Sequence, residues 1–303
     1  MASLFKRIFH RKKENIGQDV DVKEKIKTAP LPGDQFQPKI TGFKKVEPAQ
    51  LMVASAQSAG SKRDKNEDSL FTFALTLGNI TSSLPLGVFI VADGMGGHLH
   101  GEIASNIATR TSSSYILKKF LPVLSDSTTI LEDPIQEIIR SAIKEAQLEI
   151  TRTAPGSGTT LTAALVMGDK ATLAHVGDSR AYSILKDGQL TQLTRDHSLV
   201  HRLEELGQIS PEEAANHPQR NVLYRALGQG EYLEPDVFTV PFPNPGCLLL
   251  CSDGLWGVVP QDEIVEIITR EDNIQIAVQK LVARADDLGG PDNISAILVQ
   301  LLN

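Results

Sequence analysis

Residues 160–193 read TLTAALVMGDKATLAHVGDSRAYSILKDGQLTQL, and this stretch decides the fold. It contains three or four short apolar runs, separated only by Gly168-Asp169, Gly177-Asp178 and Lys186-Asp187-Gly188. Turns as short as these join neighbouring strands as hairpins, so the strands they connect pair antiparallel. We therefore predict a meander of antiparallel strands in the middle of the chain.

Strand and helix signals are mixed on both sides of this meander. The predicted strands are 52–59, 69–77, 86–92, 158–167, 170–176, 180–186, 189–193, 247–251 and 294–301. The predicted helices are 102–120, 134–152, 199–206, 261–269 and 273–285. Helices that come in pairs between sheet segments argue against a doubly wound parallel fold. They favour an α+β architecture of antiparallel sheets covered by helices.

Two of the predicted strands end in the same way. The sequences are Val88-Phe-Ile-Val-Ala-Asp93-Gly94 and Leu248-Leu-Leu-Cys-Ser-Asp253-Gly254, so each strand delivers a carboxylate into a turn. A third acid, Asp292, comes just before the last strand, and a fourth cluster lies early, at 63–68. Carboxylate oxygens are hard ligands that suit Mg²⁺ or Mn²⁺, and the chain has no Cys or His cluster at zinc spacing. The acids therefore predict a shared centre for hard cations.

Such a centre implies a reaction. Acids on separate loops can hold two ions about 3.5–4 Å apart, where they orient a hydroxide and offset charge on a phosphoryl group. Hydrolysis of phosphate monoesters by an activated water follows naturally. An Asp-Gly pair after a strand is most often only a turn, so the interpretation depends on the whole ordered set.

The bulk composition is that of a globular protein inside the cell. The 303 residues are 41% hydrophobic, with no apolar run long enough for a bilayer and no signal-peptide pattern at the start. We expect a cytoplasmic protein. Cys247 and Cys251 lie on one face of a predicted strand and are expected to be reduced core residues.

Charge divides the chain into two parts. Residues 1–50 contain 11 Lys and Arg against 6 Asp and Glu, which leaves 19 against 31 for residues 51–303. The acidic part lacks the basic face that nucleic acid requires, so no nucleic-acid partner is expected. We predict a basic, flexible extension and linker over 1–50 and a catalytic domain, expected to be monomeric, over 51–303.

The segment 4–13 of this extension leaves two interpretations open. It combines four apolar side chains with five Lys or Arg and no acid. A helix there would be a short amphipathic element that docks on anionic lipid at the inner membrane surface or on an acidic partner. The alternative, which we favour because one short helix binds membranes weakly, is a solvated basic tail.

The acidic motifs resemble a known family when they are read in order along the chain. They are Arg63-x-x-Asn66-Glu67-Asp68, Val91-Ala-Asp93-Gly94-Met-Gly-Gly97-His98, Gly158-Thr-Thr160, Val176-Gly-Asp178-Ser-Arg180, Leu193-Thr-Arg-Asp196-His197-Ser198, His217-Pro-Gln-Arg220-Asn221, Ser252-Asp253-Gly254-Leu-Trp256 and Asp292-Asn293. This set is similar to the bacterial serine/threonine branch of the metal-dependent protein phosphatases, the protein phosphatase 2C family. The resemblance covers about residues 51–303.

The resemblance implies a four-layer α-β-β-α sandwich with two or three Mn²⁺ or Mg²⁺ ions at one edge. It implies hydrolysis of phosphoserine and phosphothreonine in proteins that serine/threonine kinases have modified. Asp93 would bridge two ions, with the Gly94 carbonyl on one of them and Asp253 and Asp292 on the other. Asp68 and Glu67 would bind a metal or its waters, and Asp178 with Asp253 would form a third-ion site.

Further roles follow from the same resemblance. Arg63 matches the position that grips the substrate phosphate, a role that suits a guanidinium; the alternative is a surface cation paired with Glu67 or Asp68. Asn293 is expected to fix Asp292 by hydrogen bonding. Residues 158–160 are expected to pack beneath the site without direct chemistry.

The proton donor to the leaving oxygen is where the sequence departs from the family. Many eukaryotic members have His two positions after the bridging Asp, and this chain has Met95. His98 is the nearby titratable alternative, and a water at the metal centre is the other. His100, His175, His197, His201 and His217 have weaker claims, and His175 is expected to be packed within a strand.

Residues 195–230 form an insertion without a clear strand, which we interpret either as a flap beside the site or as a surface excursion. Two other functions stay open: a catalytically silent phosphatase-like binding module, and a phosphatase of small phosphoesters. Intact acids at every expected position argue against the silent module.

Overall fold

Short turns join many of the consecutive strands in the computed structural model, which describes residues 48–78, 83–95, 100–126, 128–230 and 233–303. The strands in this part of the chain are β1 (Gln50–Ser58), β2 (Asp68–Gly78), β3 (Ser83–Met95), β4 (Gly158–Thr159), β5 (Leu161–Met167), β6 (Lys170–Val176), β7 (Arg180–Leu185), β8 (Leu190–Gln192), β9 (Asp236–Pro241), β10 (Gly246–Cys251) and β11 (Ile294–Leu302). The helices are α1 (Gly101–Ser125), α2 (Ile135–Thr153), α3 (Leu199–Glu205), α4 (Pro211–Ala215), α5 (Asp253–Trp256), α6 (Gln261–Arg270) and α7 (Ile274–Asp287).

The strands form two sheets, and every described pairing is antiparallel. One sheet has the order β1-β11-β10-β7-β8, and the other has the order β2-β3-β5-β6-β9, with β4 paired to β3. The meander predicted from residues 160–193 is present, but it crosses between sheets, because β5 and β6 belong to one and β7 and β8 to the other.

Three apolar clusters separate four layers. Along β3, Val88 and Ile90 pack against α1 and α2, while Phe89 and Val91 face the other sheet. This alternation is the period of two that a strand buried on both faces requires. A third cluster packs the second sheet against α5, α6 and α7. The predicted α-β-β-α sandwich is therefore confirmed.

The reduced state expected for the two cysteines agrees with their surroundings. Cys247 and Cys251 are both buried and free, and both lie in the cluster beneath α6 and α7. None of the helices in the described residues is long and apolar enough to cross a membrane. The segment 4–13, and the extension as far as residue 47, lie outside the described residues.

Three local predictions were wrong. Strand β9 was missed, although its alternating sequence Asp236-Val-Phe-Thr-Val-Pro241 pairs with β6 over its full length. The strand predicted over 158–167 breaks at Thr160, whose backbone N–H donates to the Asp93 carbonyl instead of continuing the ladder. Asp253 begins a short helix where we predicted a simple turn, and Asp93 lies within β3.

Candidate metal centre

Two neighbouring strands of one sheet bring the first two acids side by side. Asp68 begins β2 and Asp93 lies near the end of β3, and the register places these residues directly opposite each other. Opposed residues of an antiparallel pair have Cβ atoms about 4.5–5.5 Å apart. Backbone pairing therefore fixes how close the two carboxylates are.

The other sheet supplies acids from its own adjacent strands. Asp253 follows β10 as the first residue of α5, and Asp292 precedes β11, which pairs with β10. Asp178 lies in the turn between β6 and β7, where the chain passes from one sheet to the other. Both sheets thus contribute acids to one edge of the sandwich.

These carboxyls are close enough to raise one another's pKa. Burial is the largest cause of the raised pKa of Asp93, followed by the negative charge of Asp68. Asp253 and Asp178 add to the pKa of Asp93 in the same direction. Burial, then Asp292, raises the pKa of Asp253, while burial, then Asp253, raises that of Asp178. Mutual repulsion of this kind means that the five carboxyls share one region.

Asp68 shows how burial and nearby carboxylates affect one of these side chains. Burial raises its pKa to about 7, although hydrogen bonds from Ser295 and Ser252 lower it. Both hydroxyls donate to Oδ2, at 2.6 and 2.8 Å. Oδ1 of Asp68 and Oδ1 of Asp253 are enclosed without a hydrogen-bond partner, even though each residue as a whole is only partly buried. Enclosed polar oxygens without partners are costly, and a divalent cation beside them would remove that cost.

The carboxylates are not arranged around a single point. Asp292 turns its Oδ2 to Nη2 of Arg63 at 2.7 Å. Within the described ranges, no three His, Cys, Asp or Glu side chains are placed so that they could hold a metal ion together as they stand. The donor set is nonetheless all oxygen and strongly anionic, which fits Mg²⁺ or Mn²⁺.

Arg63 lies at the edge of this acid cluster. Its side chain is 51% exposed, and its pKa is raised mainly by the hydrogen bond to Asp292. Its partner is therefore neither Glu67 nor Asp68, the two acids expected if it were an ordinary surface cation. A guanidinium that is half-exposed beside the acids is placed where a substrate phosphate can reach it.

The Asn293 side chain holds a different segment from the one predicted. Its Oδ1 accepts from the Glu67 backbone N–H at 2.7 Å, and its Nδ2 donates to the carbonyls of Ala59 and Lys65. Only its backbone N–H bonds to Asp292, at Oδ1. Asn293 therefore fixes the loop that carries Glu67 and Asp68.

The Gly94 backbone lies in a tight space beside α1. A Cβ atom at position 94 would lie 2.3 Å from the Gly101 carbonyl oxygen, and one at position 101 would lie 2.8 Å from the Gly94 carbonyl oxygen. Both distances are too short for a real side chain. The two glycines therefore allow the start of α1 to approach the Gly94 carbonyl.

Thr159 and Thr160 do more than pack beneath the site. The Asp93 backbone N–H donates to the Thr160 hydroxyl at 2.9 Å, and the Thr159 hydroxyl donates to the Asp93 carbonyl at 2.8 Å. Gly158 pairs with Met95 in the short strand β4. These bonds fix the backbone of the residue expected to bridge two ions.

A buried cluster joins the Asp253 helix to the Asp178 turn. The Trp256 indole N–H donates to the Asp178 carbonyl at 3.0 Å, and the Arg180 guanidinium lies 3.4 Å from the Trp256 ring centre. Arg180 also forms a bidentate pair with Asp196, which is 5% exposed. The motifs contained these residues, but nothing in the sequence indicated this contact.

The histidines of the described residues are not among the groups that shift the pKa values of the clustered acids. His98 lies outside the described residues. His175 is fully buried, as expected for a strand residue, and burial lowers its pKa to about 3. His100 precedes α1 with its side chain largely exposed. His197 is buried within the 195–230 segment, where His201 and His217 are only partly covered.

The 195–230 segment contains α3 and α4. Among the described residues, one isolated bridge, Thr159 to Leu227, attaches it to the sandwich, and a second, Ser198 to Leu223, lies within the segment. Two cavities are notable. One, of 390 Å³, opens beside Asp68 and is lined also by Glu102 and Asn106 of α1. The other, of 330 Å³, lies between the 195–230 segment and Asp236 at the start of β9, and none of the clustered acids lines it.

Known proteins resemble this chain in sequence. A family model for protein phosphatase 2C matches residues 54–294. The serine/threonine phosphatase stp of Listeria welshimeri is 42% identical over 214 residues, which cover 70% of this chain and 84% of that protein. Protein phosphatase PhpP of Streptococcus pneumoniae is 33% identical over 83% of this chain and 98% of its own length.

Solved structures resemble it in fold. The serine/threonine phosphatase Stp1 from Staphylococcus aureus has a TM-score of 0.68 and 32% identity, covering 84% of this chain and 96% of that one. The catalytic domain of the serine/threonine protein phosphatase PstP, in complex with two manganese ions, has a TM-score of 0.67 and 30% identity. That match covers 84% of this chain and all of the other.

Proposed function

This chain belongs to the protein phosphatase 2C family and is a serine/threonine protein phosphatase, and we propose that the acid cluster is its catalytic centre. The observation that carries the assignment of the centre is the convergence of Asp68, Asp93, Asp178, Asp253 and Asp292 at one edge of the sandwich. Two of these carboxyls contain enclosed oxygens that lack any partner in the described residues.

We assign different residues of the cluster to different cation positions. We assign Asp93 to a position between two ions, the Gly94 carbonyl to one of these ions, and Asp253 with Asp292 to the other. Asp68 and Glu67 face the ions or their waters, and Asp178 with Asp253 forms a weaker third position. Divalent Mn²⁺ or Mg²⁺ ions at such a centre activate water and neutralise phosphoryl charge.

Arg63 binds the substrate phosphate in this scheme. In the structure the Arg63 guanidinium donates a hydrogen bond to the Asp292 carboxylate. If Asp292 held a cation, its carboxylate would no longer be available to Arg63, and the guanidinium could present parallel N–H donors to two phosphate oxygens. Binding of metal and binding of phosphate are thereby linked through one residue.

The proton donor is assigned by sequence alone. Met95 ends β3 and has no titratable group. We retain His98 as the proposed donor to the leaving serine or threonine oxygen, with water as the alternative. A His98→Gln variant is therefore expected to lose the basic limb of the pH–rate profile if His98 is the acid.

The substrates are phosphorylated proteins, which we assign to the products of serine/threonine kinases. A small phosphoester enzyme would share the same centre, and comparing turnover of phosphopeptides and nucleotides separates the two. The silent binding module is not favoured, since relatives named as phosphatases match over most of their length.

The decisive test of the assignment is removal of single carboxylates. Asp93→Asn and Asp253→Asn are each expected to lower phosphopeptide and p-nitrophenyl phosphate turnover in Mn²⁺ by about a thousandfold or more, a loss comparable with removing a transition-state charge contact. Asp169→Asn changes an exposed acid of the β5–β6 turn and should leave turnover unaltered. Full activity in both cluster variants, with folding confirmed by circular dichroism, would refute the assignment.

A further inference from the structure

A basic cavity in the 195–230 segment has no part in the scheme above. Its volume is 330 Å³, within the range of about 300–1,000 Å³ typical of ligand pockets. The residues that line it are Arg195, His197, Arg202, Tyr224, Arg225 and Asp236. We call it the arginine cavity.

The arginines of this cavity outnumber the acids that pair with them. Arg195 and Arg202 share one carboxylate, that of Glu205. Arg225 donates to Asp236 at 2.8 Å, and the same carboxylate is the partner of His197. Three guanidiniums against two carboxylates leave a positive excess, although residues 51–303 as a whole are strongly acidic. Each guanidinium offers five N–H donors, far more than two carboxylates can accept.

His197 forms part of the same wall. Its Nδ1 accepts from the Gly177 N–H at 3.1 Å, and its Nε2 lies 3.2 Å from both Asp236 Oδ2 and Arg225 Nη1. Burial lowers the pKa of this imidazole. The side chain is almost fully enclosed, so its orientation is set by the surrounding protein.

We propose that the arginine cavity binds a phosphoryl anion other than the one being hydrolysed. Guanidiniums match phosphate through paired N–H bonds, and three of them around one space favour a dianion over a single carboxylate. The ligand can come from two sources: free inorganic phosphate, which is the product of hydrolysis, or a second phosphorylated residue of the substrate.

Backbone hydrogen bonds also connect the arginine cavity to segments of the acid cluster. The His197 N–H donates to the Gly177 carbonyl at 2.7 Å, and Asp178 is the next residue along the chain. On the other side, Leu227 follows Arg225 by two residues and pairs with Thr159, whose hydroxyl bonds to Asp93. An anion in the cavity therefore lies next to two segments that position proposed ligands.

The test measures binding of inorganic phosphate to the full chain in EDTA by isothermal titration calorimetry. Without cations the acid cluster repels phosphate and Arg63 stays paired with Asp292, so the difference in binding between the unchanged protein and a cavity variant reports on the cavity. Arg202→Gln removes one guanidinium and should weaken binding about tenfold or more, as expected for loss of a charged hydrogen bond. Glu205→Gln removes the competing carboxylate and should tighten binding severalfold.

The matched control is Arg152→Gln, because Arg152 pairs with Glu149 at the same i,i+3 spacing as Arg202 with Glu205. It should bind phosphate as the unchanged protein does. Absence of phosphate binding in EDTA, or equal binding by the Arg202→Gln and Arg152→Gln variants, would overturn the proposal.

A second arm identifies the source. With Mn²⁺ present, KM is compared for peptides that carry one or two phosphorylated residues. A lower KM for the doubly phosphorylated peptide, lost in Arg202→Gln, assigns the site to substrate; equal KM values, with phosphate bound in EDTA, assign it to free phosphate. This arm rests on the proposed function. Failure to hydrolyse either peptide would contradict that function and leave the binding result in EDTA standing.

Discussion

The two oxygens of the Asp68 carboxylate have different surroundings. Its Oδ2 takes two serine hydroxyls, while its Oδ1 is enclosed without a partner. Three further acids lie close by with raised pKa values. Several buried carboxyls that repel one another are unfavourable for folding alone, and such arrangements are common at functional sites. Binding of cations is the direct physical reason to maintain them.

The raised pKa values predict how stability depends on pH. The pKa of Asp68 is about 7 in the folded protein against 3.8 ordinarily, so the folded state binds more protons than the unfolded state between these values. Its contribution to stability is full below about pH 4 and is lost as pH rises through 7. We expect the unfolding temperature in EDTA to fall over this range, and Mn²⁺ to reduce the fall.

The matched variants for this measurement are Asp68→Asn and Asp169→Asn. The first should reduce the pH dependence in EDTA, because an amide does not titrate while Asp93, Asp178 and Asp253 still do, whereas the second should retain it in full. Identical profiles for the two variants would contradict the role given to Asp68.

Substitution of Ser295 tests whether its hydroxyl helps to orient the Asp68 carboxylate. Its hydroxyl donates to Asp68 at 2.6 Å. Residues that orient metal ligands in this way typically cost about 10–100-fold in metal affinity when removed. Ser295→Ala should therefore weaken Mn²⁺ binding by that factor in calorimetry, while Ser125→Ala, at the far end of α1, should not. Unchanged affinity in Ser295→Ala would show that Asp68 lies outside the metal site.

At the scale of elements, the centre depends on how α5 is attached to the β6–β7 turn. Asp253 begins α5 and Trp256 ends it, so one helical turn joins a proposed ligand to the indole that bonds to Asp178. The Arg180 side chain covers the ring from the other side. This contact sets the separation between Asp253 and Asp178.

Trp256→Phe tests that contact, since it keeps an aromatic ring beneath Arg180 and removes the N–H donor. An unsatisfied Asp178 carbonyl is expected to lower the free energy of unfolding by about 1–3 kcal/mol. The weakest Mn²⁺ site should lose affinity, measured by calorimetry. Tyr182→Phe removes another partner of Arg180 and should leave that site intact. If the two variants bind Mn²⁺ equally, the hydrogen bond from Trp256 to Asp178 does not position the metal site.

The sequence predicted the elements wherever periodicity was strong. β6 has the predicted bounds, and α2 agrees within a residue at each end, because its apolar face repeats at helical spacing. β9 was missed because it is short and follows a polar insertion, so its pairing with β6 supplies most of its stability. Thr160 interrupted a predicted strand because its hydroxyl and N–H serve Asp93.

Across the whole fold, the sequence predicted the acids of the cluster but not the residues that hold them in place. The order of acidic motifs identified Asp93, Asp253 and Asp292 as neighbours. The roles of Ser252 and Ser295 depend on the register between β10 and β11, and both bond to Asp68, more than 180 residues away along the chain. Contacts between residues so distant in sequence follow only from the packed sandwich.

The four layers explain why the centre lies at an edge. The two central sheets are covered by helices on their outer faces and by each other within, so a group of carboxylates can approach solvent and cations only where the strands end. Asp93 and Asp253 lie where β3 and β10 end, on adjacent sheets. A cation held there is shared by both halves of the molecule.

The most direct test of this account is a crystal structure of the full chain soaked in Mn²⁺, with the ions located by anomalous scattering. We expect at least two Mn²⁺ ions in contact with Asp93, with Asp253 and Asp292 on one of them, as in the two-metal centres that hydrolyse phosphate esters. Arg63 should have left Asp292. A manganese-rich crystal in which these carboxylates bind no ion, and in which Arg63 still pairs with Asp292, would contradict it.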